Sequence, residues 1–109
     1  MSLEAPIVEN SVAPQTGDVQ ITLNSPANGD YISNNLVIDA AISSKLQINK
    51  VEVYFDNQLV HSKVGGLGNL YQYKAEIVPS SIEIQNLLVV RVTDVNGSKS
   101  SKEVIVFRK

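Results

Sequence analysis

The 109-residue chain has no cysteine and no tryptophan, and only one histidine and one methionine. Without cysteine there is no disulfide framework, no thiolate zinc site and no thiol nucleophile. The compartment stays open, because an exported domain with a sufficient core needs no disulfide. Charge of one sign is also scarce: nine Lys and Arg against eleven Asp and Glu leave a net charge of -2. Lysines such as Lys50, Lys63, Lys74 and Lys99 are scattered, so the basic face of a nucleic-acid binder is missing. No apolar run approaches the roughly 20 residues of a membrane-spanning helix, and membrane insertion is not expected. The opening MSLEAPIVENSVAPQTGD has neither a basic region nor an apolar core and does not read as a signal peptide.

What the chain does have is alternation. Residues 1–18 lack either periodicity and read as a tail or linker, with Pro6, Pro14 and Gly17 among small polar residues. Residues 19–109 read as one domain. Val19, Ile21 and Leu23 alternate with polar residues, as do Leu36, Ile38, Ala40 and Ile42. The clearest strand sets Val51, Val53 and Phe55 against Glu52, Tyr54 and Asp56, and Asp56-Asn57 then reads as a hairpin turn. Gly65, Gly66 and Gly68 mark a flexible loop. Tyr71, Tyr73, Ala75 and Ile77 share one parity, as do Leu88, Val90 and Val92, and then Val104 and Val106. Ser80 to Asn86 is ambiguous, with Ile82 and Ile84 as candidates to plug the core. No segment carries a helical stripe over three turns. Many short strands need a second apolar layer, so the expected fold is all-β, a two-sheet sandwich of seven or eight antiparallel strands.

Three stretches carry a resemblance. ITLNSPANGDYI is a strand followed by Ser-Pro-x-x-Gly and an apolar residue; INKVEVYFDNQLV is a hairpin with Val-Glu-x-Tyr before its turn; LLVVRVTDVNGSKSSKEVIV is a strand, Thr-Asp-x-x-Gly and a last strand. In this order and spacing the segment Ile21 to Phe107, about four fifths of the chain, resembles the bacterial immunoglobulin-like domains. Asn57 stands where that family often has Gly. The resemblance implies an immunoglobulin-like sandwich serving as a non-catalytic accessory module, a spacer or protein-contact domain, in an exported or cell-surface bacterial protein. The implied location is extracellular, cell-surface or periplasmic. The implied partners are neighbouring domains of a larger parent protein or another surface protein.

Catalytic motifs are missing. His61 has Ser62 beside it, but adjacent strand residues face opposite ways, and there is no metalloprotease, nucleophile-elbow or P-loop motif. No cofactor is expected. A glycan is the alternative partner, because sugars stack on exposed aromatics: Tyr71 and Tyr73 share a face, and Tyr54 could join one of them if their strands are neighbours. Calcium is the third reading. Asp94, Asn96 and Ser98 mimic the first half of a calcium loop, but position twelve, which should be Glu, is Ile105. A site at one end of the sandwich would instead join Asp94 to Asp30 or Asp56. The plainer reading has Asp94 accepting backbone amides in a turn where Gly97 supplies positive φ. Asn96-Gly97-Ser98 also fits the N-glycosylation pattern, a modification out of place in a bacterial protein.

Overall fold

The computed structural model describes residues 19–109; the expected tail at 1–18 lies outside the described residues. Eight strands follow one another: β1 (Val19–Ser25), β2 (Tyr31–Ile32), β3 (Leu36–Ser44), β4 (Ile48–Phe55), β5 (Gln58–Val64), β6 (Leu70–Ile77), β7 (Gln85–Asp94) and β8 (Lys99–Arg108). They form two sheets, β1-β3-β6 and β2-β8-β7-β4-β5. Pairing is antiparallel except between β2 and β8, which run parallel through Tyr31–Phe107 and Ile32–Arg108. The two-sheet sandwich expected from the alternation, in the immunoglobulin-like form that the resemblance implied, is the fold observed.

The core is built from the predicted rows. Leu36, Ile38, Ala40 and Ile42 of β3 face Val51, Val53 and Phe55 of β4 and Leu88, Val90 and Val92 of β7 across the sandwich, all buried. Asp56 and Asn57 both have positive φ, 52° and 69°. Two successive left-handed residues match the turn to the twist of the flanking strands, so no glycine is required.

Strands of this length give the sandwich two distinct ends. At one end lie the start of β1, the β7–β8 turn and the loop before β6; Ser44 N donates to Asn69 O, Ile48 N to Gly68 O and Val95 N to Gln47 O there. At the other lie the ends of β1 and β8, the 26–30 loop and the β4–β5 turn, where Asp56 N donates to Leu87 O and Arg108 N to Ile84 O. The described residues measure 46 × 32 × 20 Å.

Two local expectations are corrected. The glycine-rich loop is not loose: Gly65 N donates to Asn49 O and Leu67 N to Ile48 O, and Leu67 packs against the core. Ile82 also packs there, but Ile84 is 71% exposed. The residue that plugs the core beside them is Asn86, whose side chain folds back onto Glu83.

Candidate functional site

The three aspartates are placed by their turns. Asp94 Oδ1 accepts from Asn96 N at 2.9 Å and Ser98 N at 3.0 Å, and Gly97 sits at φ 85°, as the plainer reading expected. Asp56 Oδ1 accepts from Leu87 N and Asp30 Oδ2 from Ala27 N, both at 2.8 Å. Asp30 and Asp56 are at one end of the sandwich, Asp94 at the other. The stretch of β7 from Leu87 to Asp94 separates them by roughly 23 Å. A shared calcium site across Asp94 is therefore ruled out by topology, and among the described residues no three His, Asp or Glu side chains could hold a metal ion. The sequence held a usable signal: three strands intervene between the Asp56 and Asp94 turns, and an odd number of up-and-down strands puts two turns at opposite ends.

The tyrosines do not form one patch either. Tyr73 is 1% exposed and belongs to the core, with Tyr71 partly buried against the same core. Tyr54 lies on the outer face of the other sheet, level with Val89 and Leu59. Shared parity put Tyr71 and Tyr73 on one face, and that face turned inward because β6 is hydrogen-bonded to β3 in the three-stranded sheet.

Tyr54 and Tyr73 each have a local partner. Tyr54 donates to Glu52 Oε2 at 3.1 Å, Arg91 stacks 4.9 Å above its ring, and Lys50 sits 3.7 Å from Glu52. Desolvation, and then the Glu52 carboxylate that accepts its proton, push the Tyr54 phenol up. The Tyr73 hydroxyl meets Nδ1 of His61, a bond that crosses from β6 to β5 and ties the two sheets along one side. His61 is solvent-exposed, but sequence alone gave no sign of this bridge, since it requires knowing that β5 and β6 border the same opening.

Burial, with Tyr71 beside it, pushes the Tyr73 phenol from 10.0 to about 12. The folded state therefore holds this proton more tightly than the unfolded chain. The stability it contributes is complete below pH 10 and is lost as pH rises from 10 towards 12, a total on the order of 2–3 kcal/mol. Urea unfolding across that window should show a steeper decline for the native chain than for Tyr73→Phe. Identical slopes would mean that Tyr73 is not buried as described. Tyr54, present in both proteins, cancels from the difference.

No catalytic constellation accompanies these contacts. A depression of about 390 Å³ over β3 and β6 is lined by Val37, Ile38, Asp39, Lys74, Ala75 and Glu76. It is a stretch of open sheet surface, and Asp39 is already engaged by Gln72 Nε2 at 2.6 Å. A base near a nucleophile with an orienting third group is not found among the described residues.

Comparison with known proteins bears on the architecture. The fibronectin(III)-like modules of Clostridium thermocellum CbhA align with a TM-score of 0.68 at 22% identity, over 83% of this chain and 96% of theirs. The crystal structure of an engineered protein aligns with a TM-score of 0.55 at 19% identity, over 90% of this chain and 21% of its own. At these identities the likeness is one of fold. No curated protein sequence matches the chain. Residues 20–87 match the bacterial Ig domain family, a stretch that includes the Ser-Pro loop, the central hairpin and most of the core rows. The chain therefore belongs to the bacterial Ig domain family, whose members are non-catalytic accessory modules typical of extracellular and cell-surface proteins.

Proposed function

We propose that this domain acts as an in-line spacer that holds neighbouring domains of a larger surface protein apart and transmits load between them. The observation that carries this reading is the course of its first and last core strands. β1 starts at one end of the sandwich and β8 finishes at the other, and the two lie against each other running in the same direction. A pull between residues 19 and 109 is then directed along the strands. It loads the β1–β3 and β7–β8 ladders in shear, so that many backbone hydrogen bonds must fail together. Handles at residues 57 and 109, both at one end, would instead peel strands away from their neighbours on either side of β7, starting from that end.

Single-molecule stretching tests the reading directly. The unfolding force with handles at 19 and 109 should exceed that with handles at 57 and 109. An equal or lower force in the end-to-end geometry would overturn the load-bearing role.

A further inference from the structure

Among the described residues, eight large apolar side chains are half or more exposed, and every one lies within two residues of a strand end. Apolar residues scattered singly over a surface are ordinary, but these gather at the two ends of the sandwich. At the end where β1 starts they are Val64, Leu70 and Val95, with Leu70 80% exposed. All three border the turn between β3 and β4. Val95 N donates to Gln47 O, Gly65 N, next to Val64, donates to Asn49 O, and Asn69, next to Leu70, donates through Nδ2 to Ser44 O and Lys45 O. At the end where β8 finishes, Val78 and Ile84 flank the segment that crosses from β6 to β7, 73% and 71% exposed. The two ends also differ in charge. The first carries Lys45, Lys63 and Lys99, and its acid among the described residues, Asp94, is buried and turned onto the amides of its own turn. The second carries Asp30, Asp56, Glu76 and Glu83 against Arg108 and Lys109.

We infer that the second end of one copy of the chain docks on the first end of the next, head to tail. Charge selects this occupant: the acidic end meets the basic end, whereas two like ends would set lysine against lysine or carboxylate against carboxylate. When the strands of one copy continue those of the next, apolar residues meet at the joint. Val78, just past the end of β6, falls over Leu70 at its start, and Ile84, just before β7, falls over Val95 just past its end. Asp56, in the turn before β5, falls over Lys63 near the end of that strand. The β8 corner sets Arg108 over Lys99, and Asp30, whose carbonyl accepts from Phe107 N there, brings a carboxylate to the same corner. Such a contact does not close on itself, so each added copy offers a new end. Taken across the strands, the end face is bounded by the two shorter dimensions, 32 × 20 Å, less than the roughly 800 Å² per partner of a standard stable interface. The joint is accordingly weak, forming where copies are crowded or tethered. It shares the strand course with the in-line reading above and goes beyond it in naming what meets the two ends.

Sedimentation velocity on the full chain from about 10 μM to about 1 mM, a range that brackets weak association, tests this. The average mass should climb from 11.8 kDa past twice that value, because the contact is open. Leu70→Ser spoils the first end and Ile84→Ser the second. Each should weaken association by about tenfold while the circular dichroism stays that of the native chain. Mixed in equal amounts, the two variants should recover a dimer and nothing larger, since each keeps the end the other has lost. Misfolding cannot imitate that recovery, and neither can pairing of like ends. Lys63→Glu, which sets a carboxylate against Asp56, should weaken association as well. Residues 1–18 join the first end and hold Glu4, Glu9 and Asp18 with no Lys or Arg, which makes them the competing occupant of the basic end. If they hold it, the chain stays monomeric at 1 mM, and the inference is overturned. A mass that stops at twice 11.8 kDa, or a mixture of the two variants that associates no better than either alone, would overturn it too. None of these results bears on the stretching experiment, which reads a single copy.

Discussion

Leu88→Ala is expected to lower the stability of the domain by roughly 2–5 kcal/mol in urea unfolding. Leu88 is fully buried. It is flanked in its own sheet by Phe55 of β4 and Val104 of β8, both inward-facing. Truncation forfeits the transfer of its side chain from water and leaves a cavity between two sheets that cannot close on it independently. For a domain whose whole stability is on the order of 5–15 kcal/mol, that is a large fraction. The comparison is Lys74→Ala, on the outer parity of β6, which should change stability by no more than about 0.5 kcal/mol. Similar losses at the two positions would mean that the inward and outward rows have been assigned to the wrong faces.

Asn86→Leu should cost about 2–4 kcal/mol, although it removes a polar group from a site only 1% exposed. The Asn86 carboxamide closes a loop. Its Oδ1 accepts from Glu83 N at 2.8 Å, and its Nδ2 donates to Glu83 O at 2.9 Å and Val106 O at 3.3 Å. Leucine has nearly the same volume and satisfies none of these, leaving one amide and two carbonyls without their partner as the chain enters β7. Asn86→Asp should be worse at neutral pH, since it sets a buried carboxylate against two carbonyl oxygens, and should recover part of the loss on acidification, when the carboxyl can donate again. Thermal unfolding of both variants at pH 7 and pH 4 measures this. If Asn86→Leu were as stable as the native chain, the side-chain bonds would be incidental to the packing.

These two residues also show where sequence reasoning holds and where it stops. Leu88 was legible because every second residue from Leu88 to Val92 is apolar and the period of a strand is two. The same logic found the β3 and β4 rows, and the Asp56-Asn57 turn followed from the few side chains that tolerate positive φ. Asn86 was not legible. It occupies the inward parity of β7, two residues before Leu88, but an asparagine there looks like the end of a loop until its partners at Glu83 and Val106 are known, and Val106 is twenty residues away. Asp94 sits likewise on the inward parity at the far end, so the apolar row of β7 is closed at both ends by a polar side chain that binds a turn. The expected grouping of tyrosines came apart for a related reason. Parity tells which side chains share a face, as it did for Tyr71 and Tyr73, but only the hydrogen-bonded neighbours tell which face is inside.

The loop from Pro26 to Asp30 has a consequence for growth. Asn28 Oδ1 accepts from Ile105 N at 2.8 Å, Gly29 N donates to Ile105 O at 2.7 Å and Phe107 N to Asp30 O at 2.8 Å. With β2 alongside, the backbone of β8 is occupied where a foreign strand would add. The loop and β2 thus cover the 105–109 part of the β8 margin. A filament built by stacking strand on strand needs two open margins on every unit, one to join and one to be joined. Along that part of β8 the Ser-Pro-x-x-Gly stretch removes one such margin, a cap built into the chain against strand-on-strand addition there.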